Sequence, residues 1–226
     1  MRHNGAMNRR LAFAALPLAL ALIGAKPAPR PAPAALPDIV RVTMVTDQGT
    51  ITLDLDARHA PVTVRNFVRY AEQRRFDGIV FYRVMRLNWG QQPNGLIQAG
   101  TRGDPRRELP PIAHEPTSQT GILHKAGAIS MARWAPGTAK GDFSILLSDM
   151  PALDADPKSD NPELKAGFAA FGSVAQGMDV VRKIYDLPLS PTAGEGVMKG
   201  QMLARPVRVL TVRRVPAPVP SAPPAS

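Results

Sequence analysis

A chain of 226 residues with 44% hydrophobic content holds enough apolar material for one core, and nothing in its length calls for a second. Cysteine is absent, which removes a disulfide framework and the thiol that bacterial lipid attachment would use, while a formal charge of +10 invites anionic partners. The arginines are nevertheless scattered among acids, through Arg65, Arg69, Arg74, Arg75, Arg102, Arg106, Arg107 and Arg205 to Arg214, without a nucleic-acid motif. The charge therefore reads as a solvated basic surface, and no nucleic-acid partner is expected.

The chain opens with Arg2, Arg9 and Arg10 ahead of an uncharged apolar run of fourteen residues from Leu11 to Gly24. Such a run is too short to cross a bilayer comfortably and reads as an export signal over residues 1–25, with small residues around Gly24 and Ala25 as a processing point. An uncleaved anchor is the alternative. The paired Arg9-Arg10 faintly resembles a twin-arginine signal, and Met7 offers a second start. Removing residues 1–25 takes away three arginines and no acid, leaving a charge of +7. A periplasmic location without stable membrane insertion after processing follows as the expectation. Residues 26–38 form a Pro/Ala-rich linker, 39–214 a folded domain, and 215–226 a Pro-Ala-Ser tail too poor in apolar groups to pack.

Within the domain, Ile39 to Val45 alternates branched apolar and polar residues, Asp47-Gln48-Gly49 supplies a turn, and Thr50 to Asp56 alternates again, which predicts a hairpin. Pro61 sits where a first-turn proline belongs, and Val64, Phe67, Val68 and Ala71 recur at helical spacing up to Arg74-Arg75. Strands are predicted at Ile79 to Met85 and Leu96 to Gly100, flanking a loop rich in Asn, Gly and Pro. Further strand-like runs occur at Gly127 to Ala132, Phe143 to Leu147, Phe168 to Val174 and Val207 to Val212, and a second helix is predicted over Gly177 to Tyr185. Many short strands with two well-separated helices predict a mainly β fold, a closed antiparallel barrel plugged at its ends by the helices.

Three segments carry polar side chains inside apolar alternation: Phe81-Tyr82-Arg83-Val84, Leu96-Ile97-Gln98-Ala99-Gly100 and Gly127-Ala128-Ile129-Ser130-Met131-Ala132-Arg133. Joined in this order to Gly167-Phe168-Ala169-Ala170-Phe171-Gly172, they resemble the active-site strands of the cyclophilin family, and the resemblance runs from about Ile39 to Ile184 and on towards Arg214. It implies an eight-stranded antiparallel barrel capped by two α-helices, and peptidyl-prolyl cis-trans isomerase activity on X-Pro bonds of other polypeptides. A monomer is expected, with no cofactor and no metal.

The resemblance implies that Arg83 is the main catalytic residue and that Gln98 binds the substrate carbonyl side and orients Arg83. It further implies that Tyr82 borders the site and that Leu96, Ala132, the backbone of Arg133, Phe143, Ser144 and Phe168 contact substrate. The chain departs from the family pattern at the proline pocket. Gly95 and Ser144 stand where aromatics are usual, Ala152 where tryptophan is common, Phe168 where many members have histidine, and Asp142 in place of a glutamine. Trp89 and Trp134 are candidates to refill the pocket. Such losses also allow a second reading, a proline-peptide-binding or chaperone module with weak or no isomerase activity.

Rival chemistry has little support. His3, His59, His114 and His124 show no zinc-like spacing, and neither a Gly-x-Ser-x-Gly elbow nor a phosphate-binding glycine loop is present. Asp154, Asp156, Asp160 and Glu163 make an acidic loop that Pro157 and Lys158 break as a calcium site, so it reads as a solvated excursion.

Overall fold

The computed structural model describes Met1 and residues 35–216; the predicted signal, most of the linker and nearly all of the tail lie outside the described residues. The alternating segments form nine strands: β1 (Ile39–Thr46), β2 (Gly49–Asp56), β3 (Val80–Arg86), β4 (Gly95–Gly100), β5 (Ala128–Met131), β6 (Phe143–Leu146), β7 (Ala169–Gln176), β8 (Leu189–Ser190) and β9 (Met202–Arg214). Neighbours run β1-β2-β7-β5-β6-β4-β3-β9, and β1 also pairs with β9, so eight antiparallel strands close on themselves; the two-residue β8 hangs on β9. This is the predicted closed eight-stranded barrel.

Two helices of the predicted extent are present, α1 (Pro61–Glu72) and, later in the chain, α4 (Met178–Tyr185). Two short helices that the sequence pattern did not suggest, α2 (Thr117–Thr120) and α3 (Pro162–Ala166), punctuate the connecting loops. The start of α1 has no capping side chain of its own, because Ala60 precedes Pro61. Glu115 supplies the cap from a distance. Its carboxylate accepts Val62 N at 3.0 Å, Thr63 N at 2.8 Å and Thr63 Oγ1 at 2.7 Å, placing negative charge at the positive end of the helix dipole.

The helix buries Val64, Phe67, Val68 and Ala71, the residues whose spacing predicted it. Phe67 lies among three other rings, with centroids 4.8 Å from Phe76, 5.3 Å from Phe143 and 5.6 Å from Phe171. These aromatics and the inward residues of β1, β2 and β9 fill the barrel. Among the described residues one interior polar atom, Asn66 Oδ1, is buried without a partner, while Asn66 Nδ2 donates to Lys140 O at 2.6 Å.

A second apolar cluster lies apart from this core, formed by Leu96, Ala128, Leu146 and Met150 with Met85, Leu87 and Leu153 against it. Strand alternation explains the separation. Leu96 and Leu146 pair with each other, as do Ile97 and Ile145, and the isoleucines belong to the interior while the leucines do not. The barrel thus carries an apolar patch on the outside of β3, β4, β5 and β6.

Removing the Phe67 ring would leave a void at the meeting point of four aromatics, so Phe67→Ala is expected to lower stability by about 3–5 kcal/mol in denaturant unfolding. A loss under 1 kcal/mol would show that the core does not depend on this ring.

Candidate active site

A bulge in β3 makes the site. Phe81 pairs with Ala99 and Arg83 with Gln98, so Tyr82 is an extra residue on its strand. Phe81 and Val84 are both fully buried in the core, and Tyr82 and Arg83 are both turned away from it. Strict alternation would have sent Arg83 to the same side as Phe81.

From Arg83 a polar row crosses the barrel surface through register partners: Gln98 on β4, Ser144 on β6 and Ser130 on β5. It runs beside the outer apolar patch, since Met85, Leu96 and Leu146 are the next outward residues along β3, β4 and β6. Gln98 and Ser144 are each 8% exposed and Ser130 3%. A hydrogen-bonding edge therefore borders an apolar floor.

The guanidinium of Arg83 is fixed on two sides. Nη1 donates to Gln98 Oε1 at 2.9 Å and Nε to Gln201 Oε1 at 2.8 Å, while Nη2 has no hydrogen-bond partner among the described residues. Burial pushes the Arg83 pKa down from its ordinary value, and the group stays a cation at any physiological pH. Gln201 was not foreseen from the sequence. It lies just before β9 in a turn-rich segment, and its carbonyl accepts Val84 N at 2.8 Å, which locks its side chain beside Arg83.

The chain of bonds continues in the other direction. Gln98 Nε2 donates to Tyr82 Oη at 2.7 Å, and Tyr82 Oη donates to Asp142 Oδ2 at 3.3 Å. Asp142 Oδ1 accepts Arg102 N at 2.9 Å and Thr101 Oγ1 at 3.4 Å, and the Arg102 guanidinium lies 5.0 Å from the Tyr82 ring centroid. Burial holds the Asp142 carboxyl above the usual carboxylate range; burial, then the charge of Asp142, pushes the Tyr82 phenol up. Gly100 makes room for this carboxylate: its φ is +149°, and a Cβ there would stand 1.9 Å from Asp142 Oδ1.

The substrate-contact residues suggested by resemblance divide into two groups. Tyr82, Leu96 and Ser144 share the outer face of the sheet with Arg83 and Gln98, the pair the resemblance implies to be catalytic. Phe143 does not: fully buried, it points into the core, where its ring meets Phe67, Phe76 and Phe81. The alternation that turns Ser144 outward turns Phe143 inward. The Arg133 side chain, 1% exposed, is committed elsewhere, donating to Gly167 O through Nη2 at 2.6 Å and to Glu163 Oε2 through Nη1 at 2.6 Å. Its guanidinium also covers Phe168, 4.6 Å from the ring centroid. Ala132 is half-buried, and its N–H is taken by Asp142 O at 2.9 Å.

Neither tryptophan refills the pocket. Trp89 is 65% and Trp134 86% exposed, Trp134 standing on a turn held by Thr138 Oγ1. The glycine at 95 is a backbone requirement, since its φ is +142° and a Cβ would fall 1.9 Å from Met85 O. No side chain of any size can be placed there without moving β3.

The acidic loop is more than a solvated excursion. Asp154 Oδ1 accepts His124 N at 3.0 Å and lies 2.7 Å from His124 Nδ1, and Ser130 Oγ lies 2.8 Å from His124 Nε2. Beside a carboxylate Nδ1 carries the proton, so Nε2 accepts from Ser130. Burial pushes the His124 pKa down, favouring this neutral ring. The order of groups is that of a serine nucleophile relay, but the imidazole is wholly enclosed and Ser130 nearly so. It acts as a polar strut tying the loop to β5. Among the described residues no group of His, Asp or Glu is arranged to hold a metal ion. Nor is any described helix long and apolar enough to cross a membrane.

Comparison with known proteins agrees with this architecture. Residues 41–213 match the family model for cyclophilin type peptidyl-prolyl cis-trans isomerase. A peptidyl-prolyl cis-trans isomerase of Acinetobacter baylyi is 33% identical over 176 residues, covering 76% of this chain and 84% of its own. Peptidyl-prolyl cis-trans isomerase A of Dickeya dadantii is 33% identical over 147 residues, covering 63% and 70% respectively. A crystal structure of a cyclophilin type isomerase from Cryptosporidium parvum superposes with a TM-score of 0.59 at 16% identity, over 80% of this chain and 99% of that one. With the barrel, the ordered motifs and the family match in agreement, the chain belongs to the cyclophilin-type peptidyl-prolyl cis-trans isomerase family.

Proposed function

We propose that the domain accelerates rotation about X-Pro bonds of polypeptides through Arg83, as a folding helper exported to the periplasm. The observation that carries the reading is the guanidinium held by Gln98 and Gln201 with its Nη2 edge left open. Amide resonance sets a barrier of about 18–20 kcal/mol to rotation, and twisting the bond localises a lone pair on the prolyl nitrogen. A fixed cation donating to that lone pair favours the twisted state over either planar isomer, which is how a site without nucleophile or cofactor lowers the barrier.

Met85 and Leu96, backed by the fully buried Leu146, would seat the prolyl ring, and Gln98, already oriented by Tyr82, would steer the carbonyl side. Export is supported by Arg2, Arg9 and Arg10 ahead of the Leu11 to Gly24 run. A second reading, a binding module with little catalysis, draws support from Ser144, Gly95 and Ala152, small residues at positions where the family resemblance implies aromatic walls.

Cis-to-trans relaxation of X-Pro peptides, followed without a coupled protease, separates the two. The isomerase reading expects acceleration by residues 26–226 that is lost in Arg83→Ala; no acceleration by the folded domain across a panel of preceding residues would favour the binding module. Ser144 is the small outward-turned residue of β6 where the family resemblance implies an aromatic wall, so Ser144→Phe is expected to tighten proline-peptide binding about tenfold, from burial worth roughly 1.5–3 kcal/mol. Gly95→Phe, at the other small position, is expected to unfold or distort the β3–β4 edge instead. Tighter binding by Gly95→Phe with intact stability would contradict this account of the pocket.

A further inference from the structure

The bonds around Arg83 have a direction, and one residue sets it. Gln98 carries an amide whose two ends differ: only its oxygen can accept from a guanidinium, and its NH2 facing Arg83 would put donor against donor. What keeps the oxygen on Arg83 is that the NH2 is used by Tyr82 Oη at 2.7 Å. That in turn requires the phenol to spend its proton elsewhere, and it does so on Asp142 Oδ2. An ionised carboxylate accepts and never donates, so the sequence of donors has a single sense from Arg83 to Asp142.

We propose that Asp142 is a positioning residue for catalysis, its ionised carboxylate fixing the hydroxyl direction of Tyr82, hence the amide orientation of Gln98, hence the pose of Arg83. With a protonated or amide side chain at 142, the Tyr82 oxygen can receive a proton from that side. The phenol is then free to donate to the Gln98 oxygen, and the amide turns its NH2 towards Arg83. Gln201 alone would then hold the guanidinium.

The setting gives this arrangement a pH dependence. The groups facing the carboxylate are Tyr82 on β3, Thr101 and Arg102 after β4, and Tyr70 on α1, while Lys140 on its own segment is paired with Glu108 at 2.6 Å. Burial raises the Asp142 pKa above the ordinary carboxylate value in spite of the bonds from Arg102, Tyr82 and Thr101. Because the folded chain binds that proton more tightly than the unfolded one, this group makes the domain less stable as pH rises through the window between the two values. Catalysis is gained over the same window. A purely structural carboxylate would move activity and stability together, whereas a positioning role moves them in opposite directions.

The proposal rests on the isomerase reading for its kinetic arm only. The test measures kcat and KM against pH, alongside unfolding stability, for the wild type, Asp142→Asn and Tyr82→Phe, and records the Gln98 side-chain NH2 and Arg83 Nε–H resonances by 15N NMR. In the wild type, kcat should fall as Asp142 protonates, with KM nearly constant. Both variants should lose about tenfold in kcat at neutral pH, the scale of one charge-assisted hydrogen bond, and should lose that pH dependence. The contact of the Gln98 NH2 with the Tyr82 ring should disappear on acidification of the wild type and be absent in Asp142→Asn. A wild-type pH profile in Asp142→Asn, or Gln98 and Arg83 resonances that do not respond to Asp142, would overturn the proposal. Absence of any isomerase activity would instead overturn the functional reading, and the NMR arm would still decide the role of Asp142.

Discussion

The extra residue at Tyr82 is the constraint from which the site follows. A β-strand with strict alternation can offer one face to the core and one to solvent, and Phe81 and Val84, both core residues three positions apart, cannot share a face under that alternation. The bulge between Phe81 and Arg83 reconciles them and turns two consecutive polar side chains outward. Arg83 then meets Gln98 across the ladder, Tyr82 reaches Asp142, and Gln201 comes in from the turn just before β9. A cation partly withdrawn from water is costly to leave loose, and here two amide oxygens fix it while leaving one edge open.

The barrel itself supplies rigidity. Closure by β1 against β9 removes the sheet edges, and the aromatic cluster around Phe67 joins α1 to the interior faces of β6 and β7. The outer apolar patch and the polar row are consequences of the same alternation that builds the core, read from the other side of the strands. The loop between Pro151 and Gly167 is secured independently, by His124 on Asp154 and by Arg133 on Gly167 and Glu163.

Most of the architecture is legible in the sequence because its strands are short, regularly alternating and separated by strong turn residues. The hairpin of β1 and β2, the α1 face and the Phe81 to Gly100 pair all follow from spacing alone. Other elements are not. The beginning of β9 is hidden by Pro206, which argues against a strand, and with it goes Gln201, whose role depends on a partner 118 residues away. Matching the motif as a unit makes Phe143 a substrate contact, although alternation alone assigns it to the core and Ser144 to the outer face. Arg133 and Asp154 are ordinary charged residues in sequence; only tertiary packing reveals that one clamps Gly167 and the other holds a buried imidazole. Gly95 reads as a missing aromatic, whereas its positive φ and the nearness of Met85 O make it a backbone necessity.

Crystallography of the domain with a bound X-Pro tetrapeptide tests the role of Arg83 most directly. The prolyl ring should rest on Met85 and Leu96, with Arg83 Nη2 about 3 Å from the prolyl nitrogen and the bonds to Gln98 and Gln201 unbroken. A peptide seated away from Arg83, or a guanidinium that leaves both glutamines to reach it, would contradict the account.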